Sequence, residues 1–101
     1  MIVYNVTTKV SHAIAADWLS WLKTEHIPDL VQTGCFTQAV ILHLVEADDE
    51  EGITYAVQYH AESRALYNRY MTKYATTMRQ KAMDKWGNQF IAVRTLMQLV
   101  H

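Results

Sequence analysis

One histidine stands close to the only proline of the chain, in the segment WLSWLKTEHIPDLVQTG (Trp18 to Gly34). An imidazole exchanges protons near neutral pH, so His26 is the first candidate for chemistry. Pro28 lacks a backbone N–H and disfavours helical angles at Ile27, which predicts that a helix of residues 13–25 ends near His26. A short turn over residues 28–33 should then restart with Pro28 in its first position and close at Gly34 in the left-handed conformation. The alternative is structural, because a histidine in a last helical turn also stabilises free carbonyl groups and the helix dipole.

A second set of candidates consists of polar side chains that period-two alternation predicts on one face of a sheet. An arginine can hold an anion and an amide can bind a carbonyl group, so we interpret the set as ligand-binding. The alternative is a subunit interface held by hydrogen bonds and an Arg–carboxylate pair. The set comprises Asn5, His43, Thr54, Gln58, His60 and Arg94.

The position of His43 depends on the register of its strand. The register that we prefer puts His43 on the face of Gln58 and His60, away from the helices, because it leaves more apolar residues beneath the helices. A slip by one residue would move His43 to the helix side. The residues that would share the helix side in the preferred register are Val40, Leu42, Leu44, Tyr55 and Val57.

Other kinds of site find little support in the sequence. The five histidines lack the H-x-H, H-x-x-x-H and H-E-x-x-H spacings of metal sites, so we predict no metal. Cys35 is the single cysteine, which excludes an internal disulfide, and no histidine lies near it in sequence to activate it. No phosphate loop, dinucleotide fingerprint or nucleophile elbow is present, and we predict no cofactor.

Length and composition bound the class of protein. The chain has 101 residues, half of them apolar and 19% charged, which predicts one globular domain over residues 1–101. The sequence shows no signal peptide and no apolar run of membrane-spanning length, so we predict a cytoplasmic location. The net charge of −1 is unevenly spread, because residues 63–85 carry six basic side chains and one acidic one, whereas residues 1–62 carry two basic and nine acidic ones.

The alternation of apolar and polar residues predicts four strands, and a period of 3.6 predicts two helices. The second helix begins after Ser63 as its N-cap and ends at Gly87. The order β-α-β-β-α-β is that of an α+β, ferredoxin-like domain with an antiparallel four-stranded sheet and both helices on one face. The predicted strands are 1–10, 36–46, 53–60 and 89–100.

The second face of such a sheet has no helix to cover it. We predict that it exposes an apolar patch too large for a monomer, and that two chains pair through it as a homodimer. The apolar residues assigned to this face are Val3, Ile41, Phe90, Leu96 and Val100.

With these elements in place, the chain resembles the dimeric α+β barrel superfamily, and most of all an uncharacterised bacterial family of about this length. The segments that carry the resemblance are MIVYNVT, WLSWLKTEHIPDLVQTGCF, GITYAVQY and FIAVRTLM. The resemblance implies a barrel formed by two ferredoxin-like sheets. The superfamily includes cofactor-independent monooxygenases, sugar mutarotases, heme-degrading enzymes and stress-response proteins, which are too varied to imply one reaction.

The leading functional prediction is a homodimer that binds a small polar or aromatic molecule in a cleft between sheet and helices. Catalysis there would need no cofactor and would use His26 for proton transfer, with Arg94 and Asn5 orienting the substrate. One alternative is a non-enzymatic interaction module, since oppositely charged segments favour association. Another is weak nucleic-acid binding through the basic second helix.

Overall fold

In the computed structural model, which describes residues 1–101, four antiparallel strands form one sheet. They are β1 (Ile2–Ser11), β2 (Gln38–His43), β3 (Gly52–Ala61) and β4 (Phe90–Gln98). The order across the sheet is β2-β3-β1-β4, so the first and third strands are central and the other two form the edges. All helices pack on one face, which confirms the predicted α+β, ferredoxin-like fold.

The first helical region is continuous, whereas the sequence predicts an interruption between residues 26 and 28. It consists of α1 (Ala15–Trp21), a π-helical turn (Leu22–His26) and α2 (Ile27–Gln32). The prediction that the helix stops near His26 is wrong. Pro28 has no N–H to donate, and the wider π-helical turn accommodates this missing hydrogen bond without ending the helix. At this turn the N–H of Ile27 donates to the carbonyl of Leu22, five residues back.

The predicted second helix is divided into α3 (Arg64–Lys73) and α4 (Ala75–Trp86), with a bend at Tyr74. As predicted, Ser63 is its N-cap, and the hydroxyl accepts a hydrogen bond from the N–H of Leu66 at 3.2 Å. Gly87 follows α4 with a φ of 59°, a conformation that glycine adopts without steric cost. No helix in the structure combines the length and the apolar character that a bilayer crossing requires.

The core between the sheet and α3 is largely aromatic. The ring centroid of Tyr4 lies within 6.0 Å of those of four other rings, and Phe36 meets Tyr70 edge-on at 4.9 Å. Such rings combine a large buried apolar area with favourable tilted geometry, so the cluster is a main source of stability. The four neighbours of Tyr4 are Phe36, Tyr59, Tyr67 and Tyr70.

The two faces of the sheet are defined by the central strand. The covered face, beneath the helices, includes Tyr4, Val6 and Thr8, whereas the open face includes Val3, Asn5 and Thr7. On β3 the covered face includes Val57 and Tyr59, and the open face includes Gln58 and His60. These two strands lie as the alternation of their residues predicts.

The predicted register of β2 is wrong by one residue. His43 pairs with Tyr55 and Ile41 pairs with Val57, so His43 lies on the covered face and Leu42 on the open face. The prediction assumed that apolar side chains gather under the helices, but at this edge of the sheet Val40 and Leu42 are 40% and 44% exposed on the open face.

The faces of β4 are also reversed relative to the prediction. Arg94 pairs with Val6 and therefore lies on the covered face. Both alternating sets of this strand are largely apolar, so the period alone does not tell which set faces the helices. Of the residues assigned to the open face, Val3 lies there, Val100 lies beyond the strand, and three lie on the covered face: Ile41, Phe90 and Leu96.

The apolar residues that β4 does contribute to the open face are strongly exposed. Ile91 and Val93 are 71% and 62% exposed, and Met97 is 36% exposed. The open face therefore does expose apolar side chains, but they lie on the two edge strands, and most are neighbours of the residues that we named.

Candidate functional site

A cleft lies between the covered face and the helices, and it is mostly apolar. Its walls come from β1, β3 and β4 on one side and from the helices on the other, including Trp18, Trp21 and Ala82. The enclosed volume is about 50 Å³, which is room for a few water molecules. The cleft is partly open to solvent, so a bound molecule can extend beyond this volume.

His26 lies at the boundary between this cleft and a polar hollow on the protein surface. Its ring stacks on that of Trp21 with centroids 4.6 Å apart and planes at 22°. The polar hollow is formed by residues that include Glu25, Asp29 and Lys81. The imidazole therefore has an apolar environment on one side and a route towards water on the other.

Burial sets the protonation state of His26. Desolvation lowers its pKa from 6.5 to about 4; nearby Asp29 opposes this effect, and the positive charges of Lys81 and Arg94 reinforce it. At neutral pH the imidazole is therefore uncharged and has one nitrogen free to accept a proton.

Two arginines line the same cleft. Arg79, from α4, donates a hydrogen bond from Nη2 to the hydroxyl of Tyr4 at 3.2 Å, and the same nitrogen lies 3.8 Å from the sulfur of Met71. Its Nε is buried and has no partner. Arg94, from β4, is exposed.

Two buried tyrosines supply neutral hydroxyl groups. Burial raises the pKa of Tyr59 and of Tyr70 far above their ordinary range, so both remain protonated at any physiological pH. The positive charges of Arg79 and Arg94 act against this rise in the pKa of Tyr70.

Together these groups suit a reaction in which negative charge develops on a bound molecule. A neutral imidazole accepts a proton, a guanidinium stabilises an anion, and a phenol donates a hydrogen bond. An apolar environment strengthens each of these interactions relative to water. No group of three His, Cys, Asp or Glu side chains is arranged to hold a metal ion.

The site residues that the sequence predicts lie on two different faces of the sheet. His26 and Arg94 share the cleft, but Asn5, Gln58 and His60 lie on the open face. A single pocket that unites Arg94 with Asn5 is therefore wrong, since the two side chains lie on opposite faces of the sheet.

The predicted residues of the open face make mainly local contacts. The Nδ2 of Asn5 donates to the hydroxyl of Thr7 at 3.0 Å, and its Oδ1 is buried without a partner. A ring nitrogen of His60 lies 2.9 Å from the Nε2 of Gln38.

His43 lies apart from all of these residues. Its Nε2 is 3.8 Å from a carboxylate oxygen of Asp49, and its ring centroid is 5.7 Å from that of Tyr55.

Arg79 is absent from the predicted site because the charge pattern assigns it only to the basic second helix. A signal was present: Arg79 follows buried Ala75 by four residues and precedes Ala82 of the cleft by three. Helical spacing of this kind places all three on the inward stripe.

Solved structures with the same architecture have very different sequences. SnoaB, a cofactor-independent oxygenase from Streptomyces nogalater, is 11% identical, with a TM-score of 0.68 over 99% of this chain and 94% of that chain. A dimeric ferredoxin-like protein from an uncultured marine organism is 13% identical, with a TM-score of 0.68 over 100% of this chain and 96% of that one. An ethyl tert-butyl ether D family protein from Bacillus halodurans is 11% identical, with a TM-score of 0.66 over 99% and 100%. At these identities the likeness shows the fold alone.

Comparison of sequences gives the family. No curated protein matches the chain significantly. The profile of a family described as a domain of unknown function, DUF4286, matches residues 1–100 and confirms the resemblance to an uncharacterised family of this length. This protein is therefore a member of the DUF4286 family.

Proposed function

We propose that the protein binds a small, largely apolar or aromatic molecule in the cleft and that His26 exchanges a proton with it without a cofactor. The observation that carries the proposal is the uncharged imidazole of His26, stacked on Trp21 at the wall of an apolar cleft. An ordinary surface histidine would instead be solvated and half-protonated near its normal pKa.

The stacking contact gives the imidazole a fixed plane, which is what a positioned proton acceptor requires. With a pKa near 4, His26 is a weak base in the empty cleft. Negative charge that develops on a bound molecule raises the pKa of a neighbouring imidazole, so the proton transfer becomes favourable where the reacting group lies beside the ring. Arg94, which lines the cleft and is exposed, is placed to orient a polar end of the molecule.

The reaction class that we place first is cofactor-independent oxygenation. SnoaB, which has the same fold, is described as a cofactor-independent oxygenase. Removal of a proton from a phenol or an activated C–H group gives an electron-rich anion, and a desolvated proton acceptor suits that first step.

A thermal-shift screen of small phenols and hydroquinones tests the binding proposal. Molecules that occupy the cleft raise the melting temperature of the wild-type protein by mass action. Ala92→Phe places a ring inside the cleft and should abolish those shifts, whereas Ala65→Phe, at an exposed position of α3, should preserve them. Equal shifts in the wild type and in Ala92→Phe would show that the molecules bind elsewhere.

Oxygen uptake with the best ligands of that screen tests the role of His26. His26→Gln keeps a polar side chain of similar reach but removes the proton acceptor. We expect the variant to bind these ligands and to lose most of the turnover. Turnover equal to that of the wild type would exclude His26 from the proton transfer.

We further propose that two chains pair through the open face. The apolar edges of this face support the pairing, because Ile91 and Val93 are each more than half exposed in the monomer. A structure with the same fold is described as dimeric. In such a pair the polar strip of Asn5, Gln58 and His60 would meet its copy, and a donor from the partner could satisfy the buried Oδ1 of Asn5.

Sedimentation equilibrium tests the pairing. We expect a mass of twice 11.7 kDa at micromolar concentration. A monomer at that concentration would contradict it.

Nucleic-acid binding is not favoured by any contact, because Tyr67, Tyr70 and Tyr74 pack in or against the core and offer no stacking surface.

A further inference from the structure

Arg79 is a largely buried cation whose charge has no counterpart. The ion pair of Lys81 with Asp29 and the contact of His43 with Asp49 do not include this guanidinium. The only oxygen within its reach is the neutral hydroxyl of Tyr4. Its Nε–H is withdrawn from solvent and donates to nothing.

This arrangement is unusual for an arginine. A buried charge is costly unless a charge of opposite sign and a full set of hydrogen bonds compensate it. The planar guanidinium presents five donors, and its typical partner is a carboxylate or another oxyanion bound by two parallel hydrogen bonds. Arg79, which lines the cleft, uses Nη2 on Tyr4 and on the sulfur of Met71, and no oxygen of the protein accepts from its other donors.

The protein itself does not supply the missing anion inside the cleft. None of the residues that line the cleft is an aspartate or a glutamate. The acid whose charge acts on His26 is Asp29, which lies in the outer hollow and pairs with Lys81 at 3.7 Å. Arg94 adds a second positive charge to the lining of the cleft.

We infer that the ligand of the cleft carries an oxyanion, such as a carboxylate, on an aromatic or apolar body, and that Arg79 binds this group. The inference rests on the proposed binding function and adds the chemical class of the ligand. The walls of the cleft explain the apolar body, because they are mostly apolar and include the rings of Tyr4, Tyr70 and Trp21. The positive charges of Arg79 and Arg94 disfavour a cationic ligand.

Benzoate and its uncharged counterpart benzamide are the probes that separate charge from shape. Their binding is followed at pH 7 by NMR, through the indole N–H signals of Trp18 and Trp21, which line the cleft. Charge-assisted hydrogen bonds add enough free energy that the wild-type protein should prefer benzoate by about tenfold. Arg79→Gln should remove this preference and leave the affinity for benzamide within about twofold of the wild-type value.

Two further variants complete the design. Arg79→Lys keeps the charge but loses the planar fork, so it should retain part of the preference. Arg69→Gln removes the same charge from an exposed position of α3 and should bind both probes as the wild type does.

The outcomes separate the inference from the proposal on which it rests. If the wild type binds benzoate and benzamide equally, or if Arg79→Gln keeps the preference, the guanidinium only positions Tyr4 and the inference is overturned while the binding proposal stands. If Arg79→Gln loses both probes, a folded Arg79→Lys that shows no preference for benzoate overturns the inference as well. If neither probe binds the wild type, the binding proposal and the inference both fail.

Discussion

On the covered face of the sheet, the central strands carry aromatic and apolar residues. The adjoining cleft is lined by the largely buried guanidinium of Arg79 and the uncharged imidazole of His26. On the open face, the same strands carry amides, hydroxyls and an imidazole, and the apolar residues lie at the edges. Neighbours in sequence belong to opposite environments: Tyr4 is in the aromatic core and Asn5 is in the polar strip. The covered face thus has the character of a small-molecule site, and the open face has that of a surface for a large partner.

The largest difference between the faces should appear in stability. Phe36 is 3% exposed and contacts three aromatic rings of the covered face, so Phe36→Ala should lower the free energy of unfolding by about 4 kcal/mol. Met83 is 52% exposed on α4, and Met83→Ala should change it by less than about 0.5 kcal/mol. Urea denaturation at one protein concentration measures both. A loss below 1 kcal/mol for Phe36→Ala would mean that the aromatic cluster is not the stabilising core.

The burial of His26 beside the cleft predicts that the stability of the protein depends on pH. The pKa of His26 is about 4 in the folded state and 6.5 as its ordinary value, so the unfolded chain binds more protons between these two values. Stability contributed by the neutral imidazole is complete above pH 6.5 and falls as the pH falls towards 4. Across that window the wild type should lose up to about 3 kcal/mol more than His26→Gln does.

Thermal or urea unfolding at a series of pH values compares the two proteins, and the other histidines are common to both. Parallel curves for the wild type and His26→Gln would show that His26 is solvated in the folded protein. The NMR signals of the His26 ring give its pKa directly as a second measurement.

The smallest effect should come from the polar strip of the open face. Asn5→Val removes a buried oxygen that has no partner, together with the hydrogen bond to Thr7. These two terms offset each other, so the free energy of unfolding should change by less than about 1 kcal/mol. Binding of benzamide in the cleft should stay unchanged, since Asn5 lies on the other face. A weaker affinity for benzamide would show that the two faces are coupled.

The fold was predictable because its signals are local. Alternation in β1 and β3, the Ser63 cap and the left-handed Gly34 (φ 80°) each depend on a few neighbouring residues, and the structure has all of them. The order of the elements then selects the topology with few alternatives.

The edges of the sheet were not predictable in the same way. In β4 both Phe90 and Ile91 begin an apolar series, and in β2 both Ile41 and Leu42 do. A strand that is apolar on both sides carries no local information about which side the helices cover. The reversal moved Arg94 and His43 to the covered face, and it is the reason that the predicted pocket combined residues of two faces.

Pro28 shows how burial overrides a local rule. Leu22 and Leu30, on either side of the proline, are each 2% exposed, so burial of both stabilises a continuous helical region. A π-helical turn accommodates the missing N–H at smaller cost than breaking the helix would impose. The same turn places His26 at the cleft, which the spacing of the sequence alone does not reveal.

The separation of the two faces is tested most directly by one variant of the open face. Ile91 is 71% exposed in the single chain, and Ile91→Lys puts a charge into the proposed interface between two sheets. Ligand titration of this variant, with its mass followed by sedimentation, should show a folded monomer whose affinity for benzamide is within about twofold of the wild-type value. A folded monomer that no longer binds the probe would contradict the account, because the cleft would then depend on the partner chain.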